Sequence, residues 1–122
     1  MKTADLTGAA LDWAVAVCEG IEFEVLNQQV YIPDEDGVDE PYLYRPSNCY
    51  DDGGPIIERE SIEVRYRVGV NLTATIDGQH AQTAAYRERL NPILTAAMRC
   101  YVASKLGTEV NIPSELTQGE TK

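Results

Sequence analysis

The sequence predicts an α+β fold: a small antiparallel sheet covered by an N-terminal and a C-terminal helix, in a helix–sheet–helix sandwich. Three patterns predict it. Apolar residues recur at helical spacing near the start of the chain, at Ala10, Trp13, Ala14 and Val17. They do so again at Ile93, Leu94, Ala97, Met98, Tyr101 and Leu106. Between these stretches the period falls to two. Ile62, Val64, Tyr66, Val68, Val70, Leu72, Ala74 and Ile76 share one parity, and Glu63, Arg65, Arg67, Asn71, Thr73 and Thr75 take the other. Each such element has one face to bury, and a sheet against helices buries them all.

The first helix is expected over residues 8–18, with Thr7 as N-cap and Gly20 as the stop. Ile21, Phe23 and Val25 alternate with Glu22 and Glu24, the pattern of a half-buried strand. "VYI" (Val30 to Ile32) follows the polar "NQQ" and is placed to pair back as a hairpin. Residues 33–41 read as an acidic loop. Gly53-Gly54-Pro55 reads as a helix entry, because a proline loses nothing in a first turn whose N–H groups have no partner, and "PIIERE" supplies one or two turns. Strands are expected over residues 62–68 and 70–77. If the chain reverses near Gly69, Tyr66 pairs with Leu72 and Val64 with Ala74; a single long strand bent at Gly69 is the other arrangement. Residues 78–91 are polar and irregular, with "TAAYRERL" open to a short helix. Asn91 then caps and Pro92 opens the last helix, residues 92–106, closed by Gly107. The expected core is Trp13, Phe23, Val64, Tyr66, Leu72, Ile76, Met98 and Tyr101. Residues 1–113 are expected to form a single domain, and residues 114–122 a flexible tail.

Charge and composition exclude several function classes. Twenty acids against ten bases give a net charge of −10, so binding to a nucleic-acid backbone, which needs basic surface, is not expected. No run of 18 or more apolar residues exists to span a membrane. Asp5, Asp12 and Glu19 interrupt the apolar N-terminal stretch as no signal peptide tolerates, which points to the cytoplasm. Asp34, Glu35, Asp36, Asp39 and Glu40 cluster; such a run is ordinarily a solvated loop, and its sharper meaning is a face for a basic protein partner, including mimicry of DNA. Cys18, Cys49 and Cys100 form no CxxC pair, and His80 is the only histidine, so no metal site is expected. His80 lies in the polar "DGQHAQ" without a nucleophile-type turn nearby, so no catalytic constellation, no cofactor and no enzyme is expected.

One segment survives this filter. "YRPSNCYDDGGPIIERE" (Tyr44 to Glu60) concentrates tyrosines, glycines and prolines in an irregular stretch, with Tyr42 and Tyr31 upstream. Gly53 and Gly54 admit a close approach by a ligand or another backbone, and a helix start offers N–H groups to an anion. The candidate ligand-binding residues are Tyr44, Arg45, Ser47, Asn48, Tyr50, Gly53, Gly54, Pro55, Arg59 and Arg99. Tyr44 and Tyr50 would flank a base-like ring, and the arginines would meet a phosphate. The plainer reading is a loop whose tyrosines complete a small core.

Three stretches, "MKTADLTGAALDWAVA", "YRPSNCYDDGGPIIERE" and "AAMRCYVASKLG", resemble the NinX-like proteins of lambdoid phages and their prophages, a family of unknown function. Residues 61–91 and the acidic loop are less covered. Tyr50 stands where that family usually has tryptophan, which keeps an aromatic. "RLNPILTAAMR" replaces the usual glycine-proline-threonine-proline entry to the last helix, which removes support for a ligand role there. The resemblance implies an accessory gene of a temperate phage, acting early in the host cell. It adds weight to a binding role for the central segment. The expectation is a protein that binds, without catalysis, a small anionic molecule such as a nucleotide-type defence signal. The alternative is an acidic inhibitor of a basic host protein. Homo-oligomerisation, as a dimer, would let two chains build one pocket.

Overall fold

The computed structural model describes residues 1–33, 40–66, 71–85 and 91–117. It is an α+β fold with four α-helices and six strands among the described residues. The chain runs from a 3-10 turn (Thr3–Asp5) through α1 (Gly8–Glu19), β1 (Glu24–Leu26), β2 (Gln29–Ile32) and β3 (Tyr42–Leu43) to α2 (Tyr50–Glu60). It continues through β4 (Ile62–Tyr66), β5 (Asn71–Ile76) and β6 (Gln79–Ala85) to α3 (Pro92–Leu106) and a short α4 (Ser114–Thr117). The strands divide between two antiparallel three-stranded sheets, β1–β2–β3 and β4–β5–β6.

α3 is the axis of the molecule. Asn91 caps it by accepting the N–H of Leu94 at 3.0 Å, and every residue from Leu94 to Ala103 is buried. A helix buried all round must be surrounded. The second sheet, α1 and α2 surround it. α1 presents Ala10, Leu11, Ala14 and Val15 to the core, a stripe rotated from the expected one, and Val17 is left 38 % exposed. Small residues on this stripe let α1 lie close, so Trp13 goes to the rim, where it meets Phe23 edge-on at 6.4 Å. Gly20 ends α1 in the left-handed region at φ 67, as a helix stop requires. Thr7 is extended before α1, but its side chain makes no capping bond.

The β1–β2 hairpin forms through Asn27 and Gln28, both at positive φ (52 and 63), the backbone that matches strand twist in a two-residue turn. β4 and β5 pair in the register expected of a reversal: Tyr66 opposite Leu72 and Val64 opposite Ala74. Ile62, Leu72, Ala74 and Ala84 are buried on one side of this sheet, and Glu63 and Arg65 are exposed on the other. Leu72, Met98 and Tyr101 are core, whereas Val64, Ile76, Trp13 and Phe23 are partly buried against it. The Tyr66 side chain, the residues at Gly69, the acidic cluster at 34–39, residues 86–90 of "TAAYRERL" and the tail after residue 117 lie outside the described residues.

Two stretches outside the central segment differ from expectation. Residues Gln79–Ala85, expected to be irregular, form β6, because β5 and α3 supply the pairing and burial that their small side chains do not announce. The segment after Pro113 begins with α4, whose Leu116 is buried at 7 % exposure. No described helix is long and apolar enough to cross a membrane. A strap joins the chain's distant parts: Thr3 donates its N–H to Thr108 O at 2.8 Å and its hydroxyl to Gly107 O at 2.7 Å, and Met1 and Val110 exchange two bonds of 2.9 Å.

Candidate functional site

The central segment is helical earlier than its composition indicates. α2 begins at Tyr50, so Gly53, Gly54 and Pro55 lie inside it rather than at its entry. The N–H of Gly53 is already used, donating to Cys49 O at 2.9 Å. The reason for glycine at this position is another backbone: a Cβ there would stand 2.4 Å from Pro46 O and 2.8 Å from Leu94 Cδ2. Around Gly54 there is open space.

The helix start supplies its own anion. Asp52, in the first turn, accepts the backbone N–H of Arg45 at 2.9 Å and the hydroxyl of Tyr42. Asp51 adds a second carboxylate to the same turn. Both suit the positive end of the helix dipole and occupy the place expected for a ligand phosphate. Bonding to Asp52, with some burial, pushes the Tyr42 phenol up to about 12, so Tyr42 remains a donor.

Several expected ligand residues turn inward. Tyr44 is only 7 % exposed, packed in the core, with its N–H bonded to Val30 O at 2.9 Å. Burial, then the charges of Glu19, Asp52 and Asp12, pushes its phenol well up. It has no open face on which a base could stack. Ser47 is fully buried and donates its N–H to Asp12 Oδ1 at 2.9 Å. Arg99 is 5 % exposed and its guanidinium donates to Leu6 O (2.8 Å) and Thr83 O (2.7 Å), bridging the N-terminal segment to β6. Arg59 forms a forked bond to Glu19 (3.1 and 2.6 Å), a bond to Glu60 (2.9 Å) and a cation–π contact with Tyr101 (5.7 Å). That network joins α1, α2 and α3, and the Arg59 bond holds the Glu19 carboxyl below its usual range.

The rest stays together at the surface. Asn48 Oδ1 accepts the N–H of Asn91 at 3.3 Å, and the Tyr50 hydroxyl donates to Asn91 Oδ1 at 3.4 Å. Tyr42 (50 % exposed), Arg45, Asn48 and Tyr50 (51 % exposed) thus ring the first turn of α2. They form a ledge fixed to α3 through Asn91 and to β2 through β3. Sequence reasoning missed Asp12, Asp52 and Asn91 as supports of this surface, although the sequence marks Asn91 as the cap of the last helix and Asp52, three residues into a helix, carries a positional signal of its own. A shallow concavity of about 270 Å³ lies elsewhere, on the outer face of the second sheet, lined by Glu63, Arg65, Thr73, Thr75 and Gly78. None of the ten candidate residues lines it. His80 is exposed at the start of β6.

Over residues 2–105 the chain matches the family model described as Bacteriophage P22, NinX. No curated protein matches it.

Proposed function

The chain belongs to the NinX family of bacteriophage proteins, and we propose that it is a phage accessory protein of the host cytoplasm that works by binding, without turnover, to a basic host protein. The observation that carries this is the ledge: Tyr42 and Tyr50 are half exposed yet held by Asp52 and Asn91. Rigid exposed tyrosines are typical anchors of protein interfaces, because they bury much area at little entropic cost. The net charge of −10 steers such a surface toward a basic partner, and the exposed Glu40 and Asp51 place acids beside the tyrosines. The acidic cluster at Asp34 to Asp39 extends the same chemistry along the sequence.

A small-anion sponge keeps Arg45, Asn48 and Tyr50 as an exposed set, but Asp51 and Asp52 repel an anion there and Tyr44 cannot stack. The test is capture from host lysate at low and high salt, beside thermal shift with cyclic and linear nucleotides. The proposal expects one salt-sensitive basic protein, lost in folded Tyr42→Ala/Tyr50→Ala. A nucleotide that raises the melting point, with no protein captured, would replace it by the sponge.

A further inference from the structure

Among the described residues, no strand pairs with the outer edge of β4 or of β6 in the second sheet, and the two edges differ. β6 is irregular: its register with β5 shifts between Ala74 and Ile76, His80 sits at φ 58, and the Thr83 carbonyl is taken by Arg99. A bulged or engaged edge does not accept another strand. β4 pairs with β5 in unbroken register from Ile62 to Tyr66, and no residue in it has positive φ. Among the described residues, no strand lies on its other side. Proteins protect such an edge with charge, usually lysines of one sign, which set like against like when two copies meet. β4 carries Glu63 and Arg65 instead, both exposed on the outer face and joined at 2.6 Å. An acid and a base two residues apart give no protection against a second copy. They are complementary to themselves.

We propose that the protein forms a two-fold dimer by antiparallel pairing of β4 with β4 of a second copy, centred on Val64. This goes beyond the proposed host partner and does not rest on it, because the ledge stands at the start of α2 and β4 follows its end. A two-fold axis through Val64 sets Glu63 opposite Arg65 of the second copy, and Arg65 opposite its Glu63, on the same outer face. The register satisfies the ladder in either hydrogen-bonding phase, since each residue meets one of its own parity. On the inner face Val64, only partly buried in one chain, meets its own copy. Two three-stranded sheets become one of six strands, with both α3 helices on the same side. The two Glu63–Arg65 bonds within strands, one in each copy, are exchanged for two between strands.

Charge exchange tests it. Sedimentation equilibrium over a range of concentrations at physiological ionic strength is expected to show a dimer for the native chain. Glu63→Arg and Arg65→Glu each set like charges opposite at two symmetric places, and each is expected to weaken the dimer roughly tenfold or more. The double variant Glu63→Arg/Arg65→Glu restores the complement and is expected to return to within a few-fold of the native constant. Circular dichroism confirms that the variants fold. Isotope-filtered NOEs between Val64 methyls of labelled and unlabelled native copies need no substitution and report the same contact. A native chain that stays monomeric at its highest soluble concentration overturns the proposal. So does a dimer indifferent to both single reversals, or one without the Val64 contact.

Discussion

The carboxylate of Asp12 and the backbone N–H of Ser47 meet at 2.9 Å in the interior, 35 residues apart in sequence. Asp12 is 3 % exposed, and its bond ties α1 to the connection that carries Arg45 and Asn48. Burial pushes its pKa from 3.8 up to about 7; Asp52 adds to the shift, and the Ser47 bonds and Arg45 oppose it. The folded value lies above the unfolded one, so the unfolded chain loses this proton first as pH rises. The stability it contributes is whole below about pH 4 and is lost as pH climbs to about 7. The loss is on the order of 4 kcal/mol at about 1.36 kcal/mol per pH unit. Urea unfolding at pH 5 and pH 8 should show a lower midpoint at pH 8, and Asp12→Asn should remove most of the difference.

Glu19 works in the opposite direction. Its bond from Arg59 holds its pKa below 4.5, so its contribution is present above the unfolded value and disappears on acidification. Arg59 is half exposed, and the pair is screened accordingly. Glu19→Gln should cost about 1 kcal/mol or less at pH 7, and its difference from the native chain should shrink as pH falls below 4.5 in the same unfolding series.

Neighbouring glycines in α2 should respond to alanine to different degrees. Gly53→Ala drives a methyl into Pro46 O at 2.4 Å and Leu94 Cδ2 at 2.8 Å, so it should destabilise by about 1–3 kcal/mol despite the better helix former. Gly54→Ala meets nothing within 4 Å apart from its chain neighbours, but its gain in helix propensity is offset by the clash of a Cβ with the ring of Pro55 that follows, so it should stay within about 1 kcal/mol of the native chain. Denaturant midpoints compare the two directly, and a Gly53→Ala chain as stable as Gly54→Ala would contradict the packing of α2 on Pro46.

Arg99 is structural. Arg99→Met leaves the carbonyls of Leu6 and Thr83 without this donor inside the protein and should cost roughly 3 kcal/mol. Hydrogen exchange should show the loss first in the 3-10 turn and β6, the segments that Arg99 joins, rather than in β2.

Much of this architecture was legible from spacing. α1, α3 and the β4–β5 register follow from residues that alternate or recur along one stretch of chain, and local pattern reports local structure. β6 was hidden because Gln79 to Ala85 offers alanine, threonine and glutamine, whose strand state depends on the neighbour that pairs with them. The start of α2 was hidden behind two glycines and a proline, where the contact with Pro46 and the Asp52 bonds override propensity. At the candidate site, composition located the segment but not its orientation. Whether a tyrosine faces in or out is decided by distant partners: Val30 beside Tyr44, Asn91 beside Tyr50.

The central place of α3 also sets a clock. α1 hides Ala10, Leu11, Ala14 and Val15 largely by packing near α3, and the strap from Thr3 closes on residues just beyond that helix. A ribosome must make everything from Gly20 to Asn91 between them, which takes on the order of several seconds at roughly 5–20 residues per second. For that interval the nascent α1 carries an apolar stripe with its principal partner not yet made. The yield of the newborn chain should therefore depend, more than its small size suggests, on how far such a stripe is shielded while the rest is made.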